Sequence, residues 1–197
     1  MRIATYTTRA FIGLALLLAV GLLLEADACN KERHEPFDGD PRFRVSQPSR
    51  LYFANVRATS YYFERPRGTE LELYRLRQFS KTGKRPTLTP VIVQAYLKDE
   101  GYVFMRPNDY PGILSEYGVD FRGETRDGRD TAGTYRLEVP TKPNQLAFAE
   151  DLRRSILRGD SLALHLVGGE RAPIYTTRAE RGLFLTVMRD YDALTDK

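Results

Sequence analysis

A single cysteine, Cys29, stands among 197 residues, and with one thiol the chain can form neither an internal disulfide nor a cysteine-based zinc cluster. The body must therefore be held together by packing. Histidine is almost as scarce: His34 and His165 are too far apart in sequence for His-x-His or His-x-x-x-His metal spacing. Tryptophan is absent, which leaves the 12 Tyr and 10 Phe to supply bulky core pieces. Neither sign of charge dominates, because 30 Lys and Arg face 26 Asp and Glu. A surplus of +4 spread over mixed signs describes a solvated exterior with loose attraction to anionic surfaces. There is no internal repeat or low-complexity array. The 42% hydrophobic and 28% charged content is that of an ordinary globular protein and excludes disorder over the whole chain.

The one long apolar run is N-terminal. Arg2 and Arg9 precede residues 10–24, AFIGLALLLAVGLLL, and Glu25, Ala26, Asp27 and Ala28 follow. A basic start, an apolar middle and a small-residue end resemble a secretory export signal. Fifteen residues of helix, counted over 10–24, rise only about 22 Å, short of a hydrocarbon core of about 30 Å, which favours an export leader over a full membrane span. Three fates are open: cleavage after Ala28, retention as a signal anchor with Arg9 snorkelling, or lipid attachment at Cys29. Asp27, directly before Ala28, is out of place in a lipidation site. A buried cytosolic helix would show a polar face, and this run has none. All three fates place the body outside the cytoplasm, where a nucleic-acid partner is not expected.

Beyond the leader the sequence divides into a flexible tether over 29–48, polar and interrupted by Pro36, Pro41 and Pro48, and one α+β globular domain over 49–197. Aromatic and β-branched residues over 50–62 predict one long strand or two short ones. Residues 65–68 turn the chain. In 71–77 the apolar phase moves from Leu71 and Leu73 to Tyr74 and Leu76, which predicts a β-bulge. A hairpin follows, with strands over 91–97 and 102–105 and Gly101 supplying a positive φ at its turn. Residues 118–133 read as a long glycine-rich loop before the alternating strand Tyr135, Leu137, Val139. Asn144 is expected to cap a helix over 145–158 that Gly159 ends. Leu162 to Val167 reads as an interior strand. Thr177 and Glu180 have the form of a capping box that opens a last helix, although its apolar run over 183–188 also suits a buried strand. The fold class expected is α+β: a mainly antiparallel sheet with two helices packed on one face, preceded by the apolar leader helix.

Catalytic chemistry is not indicated by any motif. His34 belongs to the tether, His165 sits in the strand-like LALHLV, and no Gly-x-Ser-x-Gly elbow occurs. Gly168 and Gly169 read as a turn, because Glu170 and Pro173 follow where a phosphate-binding helix would need its lysine. The interleaved Asp120, Arg122, Glu124 and Arg126 suit mutual charge pairing better than a cation site. No cofactor, metal or catalytic residue is therefore assigned. The pattern that points to binding is tyrosine beside arginine: Tyr61, Tyr62, Tyr74, Arg75 and Arg77 could stack on and hydrogen-bond a partner. The expected function is a non-enzymatic envelope protein, periplasmic or tethered to the outer face of the inner membrane. It would serve as a binding or accessory module for an envelope protein or surface polymer, with the membrane itself a partner if the leader is kept or lipidated. Alternatives are a secreted hydrolase with an unrecognised carboxylate pair and a small-ligand or lipid carrier.

Overall fold

The computed structural model describes residues 39–81, 85–110, 112–113, 117–124 and 128–196. The leader, Ala28 and Cys29, and the first part of the tether lie outside the described residues. The rest of the tether does not behave as one. Asp40 caps a short 3-10 turn, Pro41–Phe43, by accepting from the backbone N–H of Arg42, and Phe43 and Val45 are buried in the core. The prolines permit this, since Pro41 and Pro48 both stand in first turns, where a helix does not need the missing N–H.

Helix α1, Gln47–Tyr52, follows from Ser46, whose hydroxyl accepts from Ser49 N–H. The chain continues as a wider π-type turn, Phe53–Arg57, and a 3-10 turn, Ala58–Ser60. The strand expected over 50–62 is therefore helical until Tyr61. A serine cap and the burial of Phe53 against Tyr61 and Tyr74 override the β-favouring composition.

Four strands form the first sheet in sequential order: β1 Tyr61–Glu64, β2 Leu71–Leu76, β3 Leu88–Ala95 and β4 Glu100–Pro107, all antiparallel. No bulge interrupts β2, because Leu71 through Arg75 pair in unbroken register with Ala95 through Val91. The apolar phase shift has another cause. Tyr74 and Leu76 face the core, while Leu73 lies on the opposite face, which is also apolar. The β3–β4 hairpin is present, with a corrected turn: Asp99 takes the left-handed conformation at φ 49, and Gly101 is in the strand. A Cβ on Gly101 would meet Val45 Cγ2 at 2.8 Å and Leu194 Cδ2 at 3.2 Å, so glycine is needed there for close packing.

The second sheet has the order β6-β5-β7-β8, with β5 Tyr117–Glu124, β6 Asp130–Leu137, β7 Ser161–His165 and β8 Arg171–Ile174. The loop expected over 118–133 is largely the β5–β6 hairpin. Its glycines are present because neighbours press on them: a Cβ on Gly118 would lie 2.6 Å from His165 Nδ1, and one on Gly123 would lie 2.0 Å from Asp160 Oδ1. β7 runs between β5 and β8, the interior position expected of it.

Helix α2, Lys142–Arg158, is capped by Thr141 rather than Asn144, with a proline in its first turn, and ends at Gly159 in the left-handed conformation at φ 88. Helix α3, Arg178–Leu194, opens on the Thr177/Glu180 capping box and is helical throughout. The architecture is thus α+β with two antiparallel sheets and a few helices, in place of one sheet with helices on a single face. α3 packs on β3 and β4, whereas α2 reaches both β4 and the strands of the second sheet. Gln145 of α2 accepts from the Met105 N–H on β4 at 2.9 Å. Residues of both sheets and of α2 and α3 share one hydrophobic cluster, among them Ile92, Val119, Leu152 and Val187.

Candidate partner-binding surface

Strand alternation divides the five residues of the tyrosine and arginine pattern. Tyr61 and Tyr74 point into the core at 1% and 8% exposure. Tyr61 donates to Asp190 at 2.6 Å, and Arg57 grips the same carboxylate through Nε at 2.9 Å and Nη2 at 2.8 Å. Burial first, and then the hydrogen bond to Asp190, push the Tyr61 phenol far above its ordinary pKa. Burial likewise raises Tyr74, whose hydroxyl donates to Glu72. These two tyrosines therefore hold the fold.

Tyr62, Arg75 and Arg77 are brought together on the other face. Tyr62 is directly opposite Arg75 in the β1–β2 register, and its ring carries the Arg75 guanidinium at 5.8 Å and that of Arg77 at 5.5 Å. Arg77 also donates from Nε to the Tyr61 carbonyl at 3.1 Å. The same face continues across β3 and β4 through Val91 opposite Phe104 and Val93 opposite Tyr102. Val91 and Val93 are buried, yet they do not belong to the main hydrophobic cluster. On this face Val91 lies beside Arg75 and Phe104, and Val93 beside Leu73 and Tyr102.

A groove of about 290 Å³ opens on this face, lined by Tyr62, Glu64, Leu73, Arg75, Val91 and Arg106. Arg106 and Glu64 stand on opposite edge strands of the sheet, about 14 Å apart at ordinary strand spacing. Their side chains nevertheless approach to 3.7 Å, both well exposed, so they lie across the sheet over the apolar floor. The tyrosine and arginine pattern in the sequence does not include Leu73, Val91, Arg106 or Glu64. The one available signal was the second apolar face of 91–95, but the register that sets it beside Arg75 is not written locally.

The second sheet places a different cluster on its own outer face. Asp120 accepts from Thr134 Oγ1 at 2.6 Å, from His165 Nε2 at 2.8 Å, and pairs with Arg171 Nε at 2.8 Å. Burial works to raise the pKa of Asp120. Hydrogen bonds from Thr134 and His165 and the charges of His165 and Arg171 outweigh it, so the carboxyl is held below its ordinary value. The His165 ring lies against Gly118, and among the described residues no hydroxyl or thiol bonds to it. The geometry pins a charge cluster on a sheet surface. Among the described residues no group of three or more His, Cys, Asp or Glu is gathered to hold a metal ion.

No family model, curated protein or solved structure matches the chain.

Proposed function

We propose that this chain is an exported accessory protein that works by contact, holding another envelope component against the outer face of its first sheet, with no reaction of its own. The observation that carries this reading is the groove itself. An apolar floor of Leu73 and Val91 is rimmed by Tyr62, Arg75 and Arg106, the residue types that anchor protein interfaces. The charge order and small-residue end of residues 1–28 support export.

Photocrosslinking in cells tests the contact. A benzophenone side chain at Tyr62 is expected to yield a discrete higher-mass adduct, which Arg75→Glu in the same chain abolishes. The same group at Ala132, exposed on the outer face of the second sheet, should yield none. Identical adducts from both positions, or none from Tyr62, would overturn the reading. Export is checked separately by fusing alkaline phosphatase after Asp38, since that enzyme needs an oxidising compartment to form its disulfides. An inactive fusion would return the body to the cytoplasm.

A further inference from the structure

We infer that the occupant of the groove is an acidic, apolar-flanked segment of another protein, which sets a carboxylate on Arg75 and Arg106 and an apolar side chain on Leu73 and Val91. This rests on the partner-binding reading and names the chemistry of the partner.

Arg75 is the cation of this face left without an acceptor among the described residues. The other partly buried arginines have acceptors: Arg57 has Asp190, Arg153 has Asp192 and Glu150, and Arg181 has the carbonyls of Tyr175 and Asp160. Arg75 Nε is shielded from water and has no hydrogen-bond partner among the described residues. The contact its guanidinium does make is with the face of Tyr62. A guanidinium cannot shed its charge, and an unanswered charged donor away from water is costly. A carboxylate matches that fork with parallel hydrogen bonds.

Arg106 adds a second cation that is loosely held. Its partner Glu64 is 3.7 Å away, and the two side chains are 42% and 57% exposed; such a surface pair is worth at most about 1 kcal/mol. An incoming carboxylate can take the place of Glu64 at little cost.

The same charges decide among occupants. A second copy of this chain presenting the same face would set Arg75, Arg77 and Arg106 against their equivalents. A basic segment would leave Arg75 unanswered. A polyphosphate or sulfated polymer would satisfy the arginines and bring no apolar group to the partly exposed Leu73. An extended acidic segment meets both demands. The groove also touches three consecutive residues of β1, Tyr62, Phe63 and Glu64, and β1 is an edge strand of its sheet, beside which an extended chain can lie.

The test uses the full-length chain in a non-ionic detergent and fluorescein-labelled short peptides, read by anisotropy. A peptide of alternating Asp and Leu is expected to bind. Its affinity should fall about tenfold or more with Arg75→Gln, several-fold with the well-exposed Arg106→Gln, and not at all with Arg178→Gln at the start of α3, which does not line the groove. Alternating Asp and Gly should bind more weakly, because the floor is left empty, and Arg75→Lys should retain part of the affinity, keeping the charge and losing the fork. Equal binding of a Lys and Leu peptide would overturn the inference. So would indifference to both arginine substitutions, or inorganic polyphosphate binding as tightly with the same Arg75 dependence. If the Tyr62 crosslink persists while the acidic peptide fails, this inference alone falls; loss of the crosslink removes the partner-binding reading as well.

Discussion

Replacing Asp190 with alanine should be among the most damaging single changes in the body. The carboxylate is 4% exposed and receives three hydrogen bonds, two from Arg57 and one from Tyr61. Together they tie α3 to the π-type turn and to the start of β1. Without it the Tyr61 hydroxyl, itself buried, loses its acceptor, which costs about 1–3 kcal/mol. Breaking a buried ion pair by removing one partner costs about 3–5 kcal/mol, but the Arg57 side chain is 27% exposed, so water recovers part of that. A loss of about 3–5 kcal/mol in all is expected. Urea unfolding of the purified chain reads it as a midpoint lowered by roughly 2 M at a slope of about 2 kcal/mol/M. A double-mutant cycle sharpens the test. Tyr61→Phe alone should cost about 1 kcal/mol, whereas in the Asp190→Ala background it should restore stability, because the orphaned hydroxyl is then gone. A loss under about 1 kcal/mol for Asp190→Ala, or strict additivity of the two changes, would show that Asp190 does not couple Arg57 and Tyr61 in this way.

Leu152 on α2 is fully buried in the shared hydrophobic cluster, and Leu152→Ala should cost about 2–5 kcal/mol by the same unfolding assay; no detectable midpoint shift would mean the helix faces another way. Gly123→Ala would place a Cβ 2.0 Å from Asp160 Oδ1 and 2.7 Å from its Cγ. Asp160 is held by Arg158 and cannot swing aside freely, so a loss of about 1–3 kcal/mol or more is expected; a neutral change would contradict the close approach. Asp120, held below its ordinary pKa, contributes stability that is present above about pH 4 and lost as pH falls through the lower folded value. Asp120→Asn should therefore flatten the acid limb of the stability curve, and an unaltered limb would refute that pairing.

The parts of the fold that the sequence disclosed are those fixed by local chemistry. Thr177 and Glu180 announce α3 and Gly159 ends α2, because caps and left-handed turns are decided by neighbours a few residues away. The failures share one cause. Residues 50–62 look extended by composition, but Ser46 starts a helix that runs through Tyr52, and Phe53 finds its place against Tyr61 and Tyr74, contacts that only the tertiary fold provides. Gly118, Gly123 and Gly133 look like loop residues, yet each sits in a strand where another side chain presses on the backbone. The groove was half legible. A tyrosine doublet at 61 and 62 marks an aromatic strand and leaves open which ring faces water. Arg106 and Glu64 reach the site from opposite edges of the sheet, a relation set by register across four strands.

The claim that this face is covered by a partner is tested most directly by thiol accessibility. With Cys29→Ser as background, Tyr62→Cys and Ala132→Cys would be labelled with a membrane-permeant maleimide, in intact cells and on the purified chain. The thiol at position 62 is expected to react readily when purified and to be strongly protected in cells, while the thiol at position 132 reacts equally in both. Equal reactivity of position 62 in cells and in isolation would contradict it.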